Sequence, residues 1–502
     1  MEQLLNLLTW NTSARDPVIL LFLVAAIAAL IVVLTNRPKL YLPLILLTAP
    51  LPKLFTIAEY EVAGYIQTAP GFSVMDIVLA AGLAALLFQN LKRRVRPEAA
   101  GFSRALQLWA GSVALSVVTG LIFWNGLYRP INAVYALRYI LTLAGYWAAV
   151  RYAGIDCSEE AVRRLLRRLA VAGNIVIALG LIYYFELGGS SAGGVIGINQ
   201  RAGEDSIVFR SYLYFFDYGN DMGFYAVLVA ILNLIMLADR RTAGLRLLAS
   251  TGVLFCVITV FVIGERANLV VLGVAVGYFL LETSVNTHRS VRVSALFRII
   301  CVLVIVGSSA LVLDVLTPQQ ITSKLENSVG IDSGGNNSTF EIMNGAGVPE
   351  PVIAFVSTLP IGDFAGRLAL NVSGLWFFFR HPISVGFWGE VDVVGWASHH
   401  EIVKILVEQG IPGILAFVWL IMCLQRLLWL RRDFPGSRGQ LGVLLRAVSV
   451  GMFSALIMAN AALLDMKFAM VYWTLLGIWG AFPRIHAIRI PVVIVHEKAV
   501  NV

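Results

Sequence analysis

The residues best suited to chemistry stand close together: Ser398-His399-His400-Glu401, followed by Glu408-Gln409-Gly410-Ile411-Pro412-Gly413. Imidazole exchanges a proton near neutral pH and is the usual general base there. A pair of histidines with carboxylates at the edge of a very apolar segment is costly to keep unless used. Two plainer readings stand beside that one. The histidines are a hydrogen-bonded pair at a helix start, or they hold a metal. The metal reading is weak, because neither has a partner at i, i+4 spacing and His381 is the only other histidine in the preceding loop.

Two arginines belong with them. Arg210 lies in Val208-Phe209-Arg210-Ser211-Tyr212, and Arg266 in Gly264-Glu265-Arg266-Ala267, both at the ends of apolar segments. Each must be solvated or paired with an anion. The plain alternative is a snorkelling side chain or an ion pair, with Glu204, Asp205, Asp217 and Glu265 as local partners. The sharper one is anion capture, since guanidinium stays charged and donates in a planar fork that fits phosphate oxygens. Arg138 lies inside an apolar segment and reads as half of a structural ion pair.

The elements that must position these groups are membrane helices. Of the 502 residues, 58% are hydrophobic and 14% charged, well below the charged share of about 25% in soluble domains. Apolar runs of bilayer-spanning length recur at 17–35, 40–57, 73–90, 105–124, 133–150, 169–185, 222–238, 247–263, 268–282, 299–315, 411–430, 447–465 and 468–482. The expected fold is therefore an all-α polytopic membrane protein with about 12–13 transmembrane helices. Span 40–57 is the weakest, because Pro43, Pro50 and Pro52 interrupt it.

Charge orients the chain. Basic clusters at 92–96, 163–168, 240–246, 289–298 and 431–438 fall on alternate connections, which the positive-inside rule assigns to the cytoplasm. The net charge of +8 thus reflects topology and gives no support to nucleic-acid binding. The C-terminus is read as inside and the N-terminus as outside, with the first span serving as its own insertion signal. Cys157, on an inner connection, and Cys256, Cys301 and Cys423, in spans, read as unpaired thiols.

Three regions follow. Residues 1–315 carry the first ten spans and the outer arginines; 316–410 form a long outer loop bearing the candidate base; 411–502 hold the last spans and an inner tail. The loop opens on the Gly/Asn-rich stretch 330–337 and then runs through the apolar 354–379, which ends Leu375-Trp376-Phe377-Phe378-Phe379. That pattern predicts short helices lying at the outer membrane interface or re-entering it.

The series Arg367, His381-Pro382, Gly386, Gly389, His399 and Glu408-x-Gly410-x-x-Gly413 resembles the signature region of the O-antigen ligase and O-antigen polymerase superfamily. Arg210 ahead of Gly219-Asn220-Asp221, and Arg266 opening a span after a short outer turn, extend the likeness over roughly residues 200–430. Departures are His400 where the family commonly has Asn, Glu265 where it has Ser, a shift of one residue after His381-Pro382, and a long segment 316–366.

The resemblance implies a glycosyltransferase in the bacterial cytoplasmic (inner) membrane, its active site facing the periplasm. It would use no cofactor. The donor would be a glycan on undecaprenyl diphosphate, and the acceptor a glycan or lipid A-core hydroxyl, as in O-antigen or exopolysaccharide polymerases and in O-antigen ligases of lipopolysaccharide biosynthesis. His399 would be the base, with Arg210 and Arg266 stabilising the departing diphosphate. Arg367, Arg380, His400 and Glu408 would hold substrate, though Glu408, expected to open the following helix, also fits a structural role or one orienting the histidine. The aromatic run at 376–379 would line the route of the prenyl chain. Transfer to a protein hydroxyl is a third activity within the superfamily. A flippase or exporter of the same lipid-linked glycan is the alternative from another class, but no internal repeat of the kind transporters show is evident.

Overall fold

The computed structural model describes residues 17–51, 53–55, 59–62, 65–68, 72–90, 100–155, 158–186, 219–239, 244–263, 266–286, 343–357, 362–394, 398, 400–429, 436–457 and 466–482, with backbone alone at several margins, including Arg266 and Arg367. These residues form fifteen α-helices and four short strands. The helices are α1 (Pro17–Asn36), α2 (Tyr41–Thr48), α3 (Val74–Asn90), α4 (Ala100–Phe123), α5 (Ile131–Ile155), α6 (Glu159–Glu186), α7 (Gly219–Ala238) and α8 (Arg246–Ile263). They continue with α9 (Arg266–Asn286), α10 (Glu350–Ser357), α11 (Gly362–Arg380), α12 (Glu390–Val394), α13 (Glu401–Trp429), α14 (Gly436–Ile457) and α15 (Met466–Gly480).

Four of them, α4, α5, α6 and α13, are long and apolar enough to cross a membrane, and α1 with α2 forms a fifth span if their 113° bend is one interrupted crossing. Shorter apolar stretches lie in α3, α7, α8, α9, α11 and α15. The exposed surface is apolar where soluble proteins are polar: Leu108, Leu115, Val118 and Ile122 face outward on α4. By contrast, Met222–Leu237 of α7 and Phe468–Gly480 of α15 are buried all round, which places these helices at the bundle centre. The chain is a multi-pass, predominantly α-helical membrane protein.

Most expected spans coincide with helices. Those at 17–35 and from 73–90 to 268–282 fall on α1 and on α3 to α9, and 468–482 falls on α15. The span at 299–315 lies outside the described residues. Span 40–57 is corrected: α2 stops at Thr48, just before Pro50 and Pro52, and the chain leaves as strands. Pro43 is tolerated inside α2 because its first turn needs no N–H donor there. Strands β1 (Lys53–Phe55) and β4 (Phe72–Ser73) pair antiparallel, as do β2 (Glu59–Val62) and β3 (Tyr65–Thr68), with Val62 opposite Tyr65 across a two-residue connection. Tyr60, Val62, Tyr65 and Ile66 supply the strand-forming side chains.

Two further corrections matter for the site. The segment 316–410 carries, beside the short α10 and α12, the 19-residue α11, longer than the short helices expected there. And α13 begins at Glu401, so residues 401–410 belong to a helix instead of the end of a loop.

Polar pairs fix the packing. Asp76 caps α3 by accepting from the Ser73 N–H at 2.7 Å, and also receives both arms of Arg138, at 3.2 and 3.0 Å, from α5. The ion pair expected for Arg138 is therefore present. At one end of the bundle, Glu282 of α9 and Arg446 of α14 form a fully buried pair, and Arg446 Nη1 also donates to the Leu428 carbonyl of α13 at 3.2 Å. Asn174 and Asn233 exchange amide hydrogen bonds at 3.1 and 2.8 Å between α6 and α7, with Gly252 of α8 leaving room for them. Free thiols Cys256 and Cys423 are buried in α8 and α13.

Candidate functional site

The site region is built around an interruption in α13. Gly410 has φ 68° and ψ −163°, a conformation essentially closed to other residues. A Cβ there would touch nothing closer than 3.6 Å, so the demand for glycine is conformational. Pro412 then starts the second half of the helix, where its missing N–H costs nothing. At Gly413 the demand is steric, because a Cβ would lie 2.4 Å from Gln409 Cβ. Gly410→Ala is expected to cost about 1–3 kcal/mol from backbone strain alone. Thermal unfolding in detergent checks this, and an unchanged midpoint would contradict it.

The break strands two carbonyls. Val407 O would bond the N–H of residue 411 in a continuous helix, and Glu408 O would seek that of Pro412, which has none. The turn following His381-Pro382 replaces them: Val385 N–H donates to Val407 O at 3.0 Å and Gly386 N–H to Glu408 O at 3.1 Å. The two glycine-bearing motifs are thus halves of one joint. Gly386, at φ 96°, and Gly389 both pack on Tyr128, whose hydroxyl donates to Phe387 O at 3.1 Å. The end of α4 completes the joint, with Thr119 Oγ1 and Ser384 Oγ 2.5 Å apart and Trp124 Nε1 donating to Ser384 O at 3.2 Å. His381 is held between the rings of Phe377 and Trp124.

Glu408 therefore does not open a helix. It sits in the last turn before the break, 1% exposed, and accepts the backbone N–H groups of Trp388 and Glu390. This carboxylate caps the start of α12, while Lys404 Nζ lies 3.9 Å from it and 4.0 Å above the Trp388 ring. Trp388 carries φ 59°, a left-handed conformation unusual for a bulky residue, and these contacts together with the Tyr135 ring hold it there. Such strain gathers at functional sites.

Sequence reasoning missed Glu390. It is fully buried, accepts the Ser398 hydroxyl at 2.5 Å, and Gly374 of α11 makes way for that contact. Burial pushes its carboxyl pKa up, with the Ser398 hydrogen bond and Lys404 opposing. A raised folded-state pKa means that its contribution to stability is present below the ordinary carboxylate range and fades as pH rises through the shifted value. Hence Glu390→Gln is expected to gain stability relative to the parent as pH increases. Unfolding midpoints of both across that range check it, and a pH-independent difference would contradict it.

His400 has a defined role. Its N–H donates to Asn371 Oδ1 of α11 at 3.0 Å, its Nδ1 accepts the Ile402 N–H at 3.2 Å, and its carbonyl accepts from Lys404 N–H. It caps α13, as the plain reading of the pair expects of one member. Burial lowers its pKa, disfavouring the charged ring.

The other candidates divide. His399 and Arg210 lie outside the described residues. Arg266 starts α9 and Arg367 lies within α11, both described by backbone. Arg380 ends α11, exposed, with Nη1 against Gly347. Because Arg446 touches both Glu282 and Leu428, the C-terminal ends of α9 and α13 lie at the same end of the bundle. The first turns of α7 and α9 meet, Gly223 against the buried Asn268. Phe379 is exposed, Trp376 and Phe377 half-buried and Phe378 buried, so the aromatic run is split between surface and core. Compared with known proteins, the chain matches no protein-family model and no curated protein.

Proposed function

We propose that the protein is an inverting, metal-independent glycosyltransferase of the O-antigen ligase and polymerase type. Its frame would be 12–13 spans in a bacterial inner membrane, with the site open to the periplasm. The observation that carries this reading is the joint itself. Separate elements of the sequence pattern, His381-Pro382 with Gly386 and Gly389, and Glu408-x-Gly410-x-x-Gly413, meet through the Val385 and Gly386 hydrogen bonds. His399 lies between them in sequence.

The chemistry follows from the residue types. The acceptor hydroxyl gives its proton to His399 as its oxygen bonds to the anomeric carbon from the face opposite the diphosphate. The bond from that carbon to the diphosphate oxygen breaks and the electron pair leaves with the phosphate. Arg210 and Arg266 meet the developing charge, and Arg367 and Arg380 hold sugar groups. Glu408, turned inward, keeps the joint in shape and touches no substrate. The length of the chain and its outer loop favour extension of one lipid-linked glycan by another over transfer to lipid A-core or protein.

Purified full-length protein in detergent, given an undecaprenyl diphosphate oligosaccharide with and without lipid A-core, tests this. Chain extension is expected. Transfer to lipid A-core would make it a ligase; with neither product, the enzyme reading falls, and transbilayer movement of the donor in vesicles would make it an exporter.

A further inference from the structure

At the bundle end opposite the joint, α6, α7 and α14 line a small surface cleft. One wall carries Arg163 and Arg167, a single turn apart on α6; Leu232 and Met236 of α7 form an apolar floor. At the rim Asp239 is covered by Gln440 of α14, whose amide donates to its carboxylate at 3.0 Å. Arg163 is held by Glu160 and Glu159 at 3.0 and 3.1 Å, which sets its place. Arg167 differs: its Nε is buried and has no hydrogen-bond partner among the described residues. A buried donor on a permanent cation is costly to leave without an acceptor, and an oxygen of a bound anion can supply one.

The geometry points to a binding site for the phosphodiester headgroup of an anionic membrane lipid. Guanidinium donors suit its two unesterified oxygens. The apolar floor suits the glycerol and first methylenes, which inorganic phosphate lacks. The location agrees, since α7 ends at Ala238 beside the cleft, at the arginine-rich end of the bundle where an anionic leaflet surface would lie. Glu159, Glu160 and Asp239 offset part of the positive charge, so recognition rests on the Arg167 fork more than on net field.

The test uses the detergent-purified full chain and thermal unfolding during titration with phosphatidylglycerol, phosphatidylcholine or inorganic phosphate. A saturable rise in midpoint with phosphatidylglycerol alone is expected, and Arg167→Gln should need about tenfold more of it. Arg37→Gln, at an exposed cation elsewhere, should respond as the parent does. If Arg167→Gln does not fold, Arg167→Lys serves, keeping charge but losing Nε, with weakening in the same sense. Equal response of the Arg167 variant and the parent, an equal effect of phosphatidylcholine or inorganic phosphate, or an equal loss in Arg37→Gln would overturn the assignment.

Discussion

His399→Ala should lower glycan transfer by about 10²–10⁴-fold, the range that a positioned general base contributes, while His400→Ala should retain most of it. The two neighbours differ in what they are free to do. His400 spends Nδ1 on the Ile402 N–H, so its own proton sits on Nε2 and the ring caps a helix. Burial lowers its pKa, which disfavours the charged form in that task. Loss of a cap costs about 1 kcal/mol of stability, a small effect on turnover. Rates on an undecaprenyl diphosphate oligosaccharide, normalised to folded protein, separate the two. The reverse ranking would move the base to position 400 and require the cap to break in turnover.

The second large effect is structural. Arg446→Met alone should destabilise the protein by about 3–5 kcal/mol, because it removes the guanidinium from beside the buried Glu282 carboxylate. Both side chains are 1% exposed, and the guanidinium also ties Leu428 of α13 to the pair. The double variant Arg446→Met with Glu282→Leu should recover most of that loss, since apolar residues of similar volume can replace a buried pair at little cost. Unfolding midpoints of the singles and the double form the cycle. Additive losses would mean the two side chains stabilise the fold independently.

How much of this could be read from sequence depends on whether the signal is local. Span positions are local, because about twenty apolar residues in a row have one stable solution in a bilayer. The end of α2 at Thr48 was signalled by Pro50 and Pro52, yet the strands beyond it were overlooked although Glu59-Tyr60-Glu61-Val62 alternates as a strand should. The break in α13 was legible too, in Gly410-Ile411-Pro412, a glycine followed by a proline fit for a first helical turn. Arg138 announced that it needed an anion, though nothing local named Asp76.

Other features depend on distant partners. Glu282 finds Arg446 across 164 positions, and Glu390 is buried against Ser398 only because α11 presents Gly374 there. Glu408 was placed at a helix start on the strength of its motif. It serves instead as the acceptor for Trp388 and Glu390, a role that appears only when the turn after His381 folds onto α13.

The most direct test of the central claim is an experimental structure of the full-length protein with undecaprenyl diphosphate bound. Arg210 and Arg266 are expected on the diphosphate oxygens, His399 beside the anomeric position, and the 381–389 turn still bonded to the carbonyls of Val407 and Glu408. A diphosphate bound away from both arginines, or His399 widely separated from it, would contradict the account.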